Sequence, residues 1–306
     1  MGKTQMKVAI STSSFGGSSP EALKLLASKG IEIKNNPYGR RMTEDEIIDH
    51  LQDVDGLLAG LEPLNENVMS RSKQLKVIAR VGTGVANVDF TAAEHHHIKV
   101  SNTPDGPTFA VAEMTIAALL AVLRDLPNTN AKMHGGGWPK QVNKSLSGKT
   151  LLIIGFGRIG QKFAELSSNF QPYILIYDPE NVTLPAYCRR VSLEEGLRVA
   201  DIISLHAGGE SEILGERELG LMKDGVVLLN SARGNLINEA ALISKLKTGK
   251  IHAAWLDSFW EEPYKGELLK FDNVLMTPHT STYTEECRAS MELDAVTNLL
   301  NDLGVT

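Results

Sequence analysis

Residues 151–160, Leu-Leu-Ile-Ile-Gly-Phe-Gly-Arg-Ile-Gly, limit what this chain can fold into more than any other stretch. A bare G-x-G-x-x-G is weak evidence in a chain with 27 glycines among 306 residues. Here, though, four apolar residues lead into Gly155 as a buried strand would. Ile159, Phe163 and Leu166 then repeat at helical spacing toward Asn169. The spacing predicts strand, tight turn and helix, each glycine having its own reason. Gly155 permits the turn, Gly157 lets the backbone approach a pyrophosphate, and Gly160 lets the helix sit close to its strand. The helix N-terminus, with Arg158 and Ile159 in its first turn, then faces the phosphate charge. A second apolar strand, Tyr173 to Tyr177, ends on Asp178, 23 residues after Gly155. That is close to the roughly 20 expected for an acid that bonds a ribose 2′-hydroxyl. Glu180 follows, and the nearby arginines, Arg189 and Arg190, come only about ten residues later. A 2′-phosphate would meet mostly negative charge, so the expected cofactor is NAD rather than NADP.

Length favours two domains over one. The formal charge of −6 and the lack of a basic stretch argue against nucleic acid as a partner. Cys188 and Cys287 lie far apart without C-x-x-C spacing, which excludes a disulfide scaffold and fits a reducing cytoplasm. The start, Met1 to Met6, has no apolar core with a cleavage site, and the longest greasy run, Ile116 to Leu123, is too short to span a bilayer. A soluble, cytoplasmic protein is expected. The run His95-His96-His97 invites a metal, but consecutive residues cannot all face one ion in regular structure, so no metal site is expected.

The first hundred residues alternate short apolar strands with helices: Val8 to Ile10, a helix after Ser19 and Pro20, a capping box at Thr43 and Glu46, then Gly56 to Ala59, Leu75 to Ala79 and Ile98 to Ser101. A long apolar helix, Phe109 to Arg124, reads as a crossover. After the fingerprint the alternation resumes, with a capping box at Ser192 and Glu195 and strands at Asp201–Leu205, Val226–Asn230, Ala253–Asp257 and Val274–Met276. A final helix runs from Thr284 to about Asp302. Such alternation implies parallel sheets, an α/β fold.

Ligands of open parallel sheets bind beyond the carboxyl ends of the strands. Three polar residues stand in such places: Arg233, Glu262 and His279. A guanidinium can grip a carboxylate bidentately and polarise a neighbouring carbonyl, and a histidine can exchange a proton near neutral pH. A carboxylate beside that histidine would hold its tautomer. Together they suit hydride transfer at a 2-oxo acid beside a nicotinamide.

These residues sit within longer motifs: Arg80-Val81-Gly82-Thr83-Gly84-Val85, Asn102-Thr103-Pro104, the fingerprint, Asn230-Ser231-Ala232-Arg233-Gly234, Leu256-Asp257 with Glu262-Pro263, and Thr277-Pro278-His279. By them the chain resembles the D-isomer-specific 2-hydroxyacid dehydrogenases, especially the phosphoglycerate dehydrogenase branch, along nearly its whole length. The resemblance implies two doubly wound parallel-sheet domains. A Rossmann NAD-binding domain, 103–282, would be inserted into a flavodoxin-like substrate domain made of 1–102 and 283–306. It implies that Arg233, Glu262 and His279 are the catalytic trio, with His279 as acid/base, Glu262 supporting it and Arg233 holding the substrate's carboxylate and oxo groups. Arg80 and the amides around Val81 and Gly82 would also meet the substrate carboxylate. Thr83, Arg158, Ile159, Ser231 and Asp257 would touch NAD. A homodimer, formed through the arm around Pro127 to Lys149, is implied too.

The departures from the family's pattern are local. Ala207-Gly208-Gly209-Glu210 replaces a more rigid turn, Trp255 stands where a small residue is usual, and Tyr283 follows His279 in place of a glycine-containing segment. The segment Ala59 to Pro63 has no arginine to receive a phosphate. The resemblance implies a small D-2-hydroxy acid as substrate, 3-phosphoglycerate being the first candidate, although the missing arginine leaves its phosphate without an expected partner. The alternatives are glyoxylate, hydroxypyruvate or another unphosphorylated acid, and, in a different class, a dinucleotide-sensing regulator without catalysis.

Overall fold

The computed structural model describes residues 5–209 and 211–305. Glu210, the last residue of the Ala207 to Glu210 turn, and the starting residues 1–4 lie outside the described residues. The chain divides into two compact units, Met1–Pro107 with Tyr283–Thr306, and Thr108–Thr282. The sequence reading set the change at residues 102 and 103.

The first unit alternates β1 (Lys7–Ile10), α1 (Glu21–Ser28), β2 (Glu32–Lys34), α2 (Glu44–His50), β3 (Gly56–Ala59), α3 (Glu66–Arg71), β4 (Val77–Arg80), α4 (Phe90–His95) and β5 (Lys99–Asn102). The five strands are parallel in the order β2-β1-β3-β4-β5, the flavodoxin-like winding. Local signals fix the helix starts. Thr43 and Glu46 form the expected reciprocal capping box, and Asn65 and Asp89 cap the next two helices through their side chains. At α1 the cap position falls on Pro20, one residue later than the expected Ser19, whose hydroxyl accepts from the Glu21 amide. One face of the sheet is covered by Ile47, Ile48, Leu51, Val68 and Met69 of α2 and its surroundings and of α3. The C-terminal helix, Glu285–Leu303, lies along β3, β4 and β5.

That helix also carries a buried ion pair. Arg288 meets Glu292 at 3.1 Å and donates to the Ser14 hydroxyl at 3.1 Å, while Glu292 accepts from the Gly16 amide at 2.8 Å. Burial pushes the Glu292 carboxyl upward, against the pull of the Gly16 amide and Arg288. The pair therefore ties the loop after β1 to the C-terminal helix.

The second unit opens with α5 (Pro107–Leu123) and α6 (Leu126–His134). It continues through β6 (Thr150–Ile154), α7 (Arg158–Ser168), β7 (Tyr173–Tyr177), β8 (Cys188–Arg190), α8 (Leu193–Val199), β9 (Ile202–Leu205), α9 (Glu216–Leu221), β10 (Val226–Asn230), α10 (Glu239–Lys247), β11 (Ile251–Leu256) and β12 (Val274–Met276). Its seven parallel strands run β12-β11-β10-β9-β6-β7-β8, the Rossmann order with a seventh strand at one edge. Both faces are covered, so successive residues of one strand enter opposite cores. Leu151 and Ile153 join Phe163, Ala164, Leu119 and Trp255, while Leu152 and Ile154 join Leu197, Leu219 and Leu242. Periodicity alone could not separate such strands from short buried helices, and it is their order and bounding turns that do.

No helix among the described residues is long and apolar enough to cross a membrane.

Candidate active site

The glycines of the fingerprint occupy the places their roles require. Gly155 ends β6 with φ +92°, and a Cβ there would come within 2.5 Å of the Ala207 amide nitrogen after β9. The order changes direction between β6 and β9, so the two loops meet at the topological switch point. A Cβ on Gly160 would strike the Gly155 carbonyl at 2.2 Å. Gly157, by contrast, is the N-cap of α7 and has nothing within 4 Å of its missing Cβ. Open space before a helix N-terminus is what a pyrophosphate needs, and the donor set fits a dinucleotide. Asp178 follows β7 and closes the cradle: one carboxylate oxygen accepts from the Phe156 amide at 2.6 Å, the other from the Glu180 amide at 2.9 Å. Arg158 and Ile159 form the first turn of α7. Arg189 is paired with Glu195 and Arg190 donates to the Glu180 and Val182 carbonyls, so both guanidinium groups have partners other than Asp178.

On the other half of the same sheet, three strand ends deliver the trio. Asn230, fully buried at the end of β10, accepts from the Ala232 amide and donates to the Arg233 carbonyl, which folds the turn presenting Arg233. Ser231 takes a bond from Thr115 at 3.4 Å. Glu262, beyond β11, lies against His279, beyond β12: Nδ1 is 3.0 Å from each carboxylate oxygen. Burial tends to raise the Glu262 pKa. Hydrogen bonding and charge from His279, the Phe259 amide and the Arg233 guanidinium outweigh it and hold the carboxyl below its ordinary value. Arg233 is thus electrostatically within reach of the pair.

His279 sits at φ +54°, a conformation uncommon for a non-glycine residue and held only where the surroundings enforce it. Asp257 enforces it here. Only 1% exposed, it accepts from the Thr277 hydroxyl at 2.5 Å and the Thr280 amide at 2.9 Å with one oxygen, and from the Ser281 amide at 3.0 Å with the other. The Trp255 indole completes the chain, donating to Thr277 at 3.0 Å from a fully buried position. Asp257 and Trp255 therefore support the loop that carries His279. Sequence reading took Asp257 as a cofactor contact, noted Trp255 only as a departure from the family's pattern, and gave no role of its own to Thr277. A polar residue alternating into a buried strand end was the available signal.

At the strand ends of the first unit, Arg80 is 7% exposed and its guanidinium donates to the Val81 carbonyl. The Val81 amide donates to Ala59 and the Gly82 amide to the Thr103 hydroxyl, so both amides expected to receive a carboxylate have protein acceptors. Gly82 adopts φ +137°, and a Cβ there would meet the Arg80 guanidinium at 2.8 Å. The Thr83 carbonyl accepts from Asn102. Tyr283 is 57% exposed, with the Arg288 guanidinium 5.3 Å from its ring centre.

A family model described as the D-isomer specific 2-hydroxyacid dehydrogenase, NAD binding domain, matches residues 116–281. The chain belongs to that family. It is 34% identical over 296 residues to a hydroxypyruvate reductase of Thermotoga maritima, covering 93% of this chain and 95% of that protein. It is 37% identical over 281 residues to a D-3-phosphoglycerate dehydrogenase of Methanocaldococcus jannaschii, covering 88% of this chain and 52% of that one. The chain thus spans about half the length of the phosphoglycerate dehydrogenases it matches. Among solved structures, the TT0316 protein of Thermus thermophilus aligns with TM-score 0.90 and 33% identity over 98% of this chain and 97% of its own. An acyclic imino acid reductase solved with NADPH and D-Arg aligns with TM-score 0.87 and 27% identity, over 98% and 97%. Two parallel sheets in an α/β fold, and membership of this dehydrogenase family, are as the sequence led one to expect.

Proposed function

We propose that the protein interconverts a small D-2-hydroxy acid and its 2-oxo acid using NAD. The observation that carries this is the Glu262–His279 pair, with Nδ1 shared between two carboxylate oxygens at 3.0 Å, on the sheet that also bears the glycine cradle. The bound nicotinamide would supply or accept the hydride. With Nδ1–H donating to Glu262, Nε2 is the atom left to exchange a proton with the substrate oxygen. In reduction Nε2 would give the substrate oxygen its proton as C2 is reduced, and in oxidation it would take that proton back. The Glu262 carboxylate stabilises the imidazolium between turnovers. Arg233 holds the substrate carboxylate and polarises the carbonyl, and Arg80 is a second proposed contact for that carboxylate.

NAD is preferred over NADP on the strength of Asp178, whose carboxylate opposes a 2′-phosphate while both nearby arginines are engaged elsewhere. For the substrate, 3-phosphoglycerate is the first candidate. One feature favours an unphosphorylated acid instead: beyond β3 stands Glu62, 1% exposed and accepting from the Ser11 hydroxyl and the Gly60 amide, a carboxylate rather than a cation. NADH oxidation with 3-phosphohydroxypyruvate, hydroxypyruvate and glyoxylate separates these readings. Removing His279 (H279A) should lower kcat by about 10²–10⁴. If NADH binds and every 2-oxo acid is inert with the native chain, a regulator that only senses the dinucleotide replaces the enzyme.

A further inference from the structure

The triple histidine was set aside because three consecutive side chains cannot converge on one ion. The structure shows that three need not. Helix α4 ends in a Schellman motif: the His97 amide donates to Glu94, the Ile98 amide to Ala93, and His97 takes the left-handed conformation at φ +56°. His95 closes the last turn of the helix and His96 is its cap residue. Their rings stack with centroids 4.9 Å apart and planes 18° from parallel. A third ligating group comes from a different helix. Glu66 begins α3, and its carboxylate lies 2.8 Å from His96 Nε2. One ligating atom from each of Glu66, His95 and His96 can be chosen so that all three lie within 4.8 Å of one another.

We propose that Glu66, His95 and His96 bind a late first-row divalent metal ion such as Zn²⁺, with water in the fourth position. Two imidazole nitrogens and one carboxylate oxygen are the donor set that zinc accepts with three protein ligands. Bonds of about 2.0–2.1 Å in a tetrahedron put ligand atoms roughly 3.4 Å apart, so the Glu66–His96 contact at 2.8 Å has to open slightly while any wider pair, up to 4.8 Å, closes in. All three side chains are on the surface, with Glu66 54% and His96 24% exposed, so rotation meets little packing. The ion would replace the existing Glu66–His96 contact by two metal bonds. It would also sit at the C-terminal end of α4, where the helix dipole favours a cation. Imidazole ligands rank Cu²⁺, Ni²⁺ and Zn²⁺ above Mn²⁺, and Mg²⁺ should not compete. The consequence is a clamp between α3 and α4, joining the first turn of one to the last turn of the other.

Calorimetric titration of the chelator-stripped full chain with ZnCl₂ tests this. One site per chain is expected, lost or weakened at least about tenfold in H95A, H96A and E66Q, since even outer-shell partners of a metal are worth roughly 10–100-fold. H97A should bind as the native chain does, and H279A shows whether any second zinc belongs to the Glu262 pair instead. The thermal midpoint of the native chain should rise with zinc and that of H95A should not, because only an ion bound to the folded state stabilises it. Zinc binding that survives unchanged in both H95A and H96A, or no binding at about 100 µM zinc, where a site of the micromolar affinity needed to matter would be filled, overturns the proposal.

Discussion

At the scale of single residues, the proposed function separates groups that would do chemistry from groups that hold them. Glu262 is kept below its ordinary carboxylate pKa and so remains charged throughout the neutral range. E262Q leaves the shape but removes the charge that stabilises an imidazolium, and kcat should fall by about 10²-fold or more with KM changed little. Steady-state kinetics of the variant decides it. Asp257 acts one step back. D257N replaces three bonds to a charged acceptor, and the His279 loop should loosen at a cost of roughly 1.5–3 kcal/mol, read as a lower thermal midpoint. His206 gives a pH signature. Burial pushes its pKa down to about 3, and Nδ1 finds no partner. A base whose folded pKa is depressed contributes stability above its unfolded value near 6.5 and loses it as pH falls from there toward 3. The slope is at most about 1.4 kcal/mol per pH unit, an upper bound because part of the residue stays exposed. H206F should flatten the acid limb of stability against pH. An unchanged limb would remove His206 from that role.

At the scale of elements, the glycine cradle distinguishes packing from binding. Gly160→Ala collides with backbone at 2.2 Å, so it should cost stability outright. Gly157→Ala meets nothing in the protein. Stability should therefore change by less than about 1 kcal/mol while NADH affinity, measured by fluorescence titration, falls at least tenfold. Equal losses in both variants would mean that the cradle is structural. The sequence made this element legible because strand, turn and helix each left a mark: four apolar residues, three glycines with different duties, and a helical stripe. Elements with weaker marks escaped. The three-residue strands Glu32–Lys34 and Cys188–Arg190 carry mostly polar residues at sheet edges, where no apolar run is needed. Helix α6 buries no residue at all, so it has no stripe to read. The Ser192 cap was seen correctly, yet its reciprocal partner was not, because Glu195 turns to Arg189 instead. In the site, Arg233, Glu262 and His279 were legible as polar residues after apolar strands. The partners of Asp257 were not, since a loop closing back on a buried carboxylate leaves no periodic trace.

At the scale of the whole molecule, the arm after α5 exposes large apolar side chains: Leu126, Met133, Trp138 and Val142, with Trp138 76% exposed. A surface of this kind is what the homodimer implied by the family resemblance would cover. W138S should shift the mass seen by light scattering toward the single chain, whereas an unaltered mass would place the contact elsewhere. Both cysteines are pushed up to about 11 by burial, so neither is expected to react readily with thiol reagents at neutral pH. The Asp257 hub has a wider consequence. Of its three donors only Thr277 contributes a side chain, while Thr280 and Ser281 contribute backbone amides that any residue but proline could supply. The segment from Thr280 to Tyr283 is thereby released from the duty of holding the acid–base group in place. Under the proposed function, substitutions in this segment should leave the acid–base pair in place, so preference and turnover would be free to vary independently.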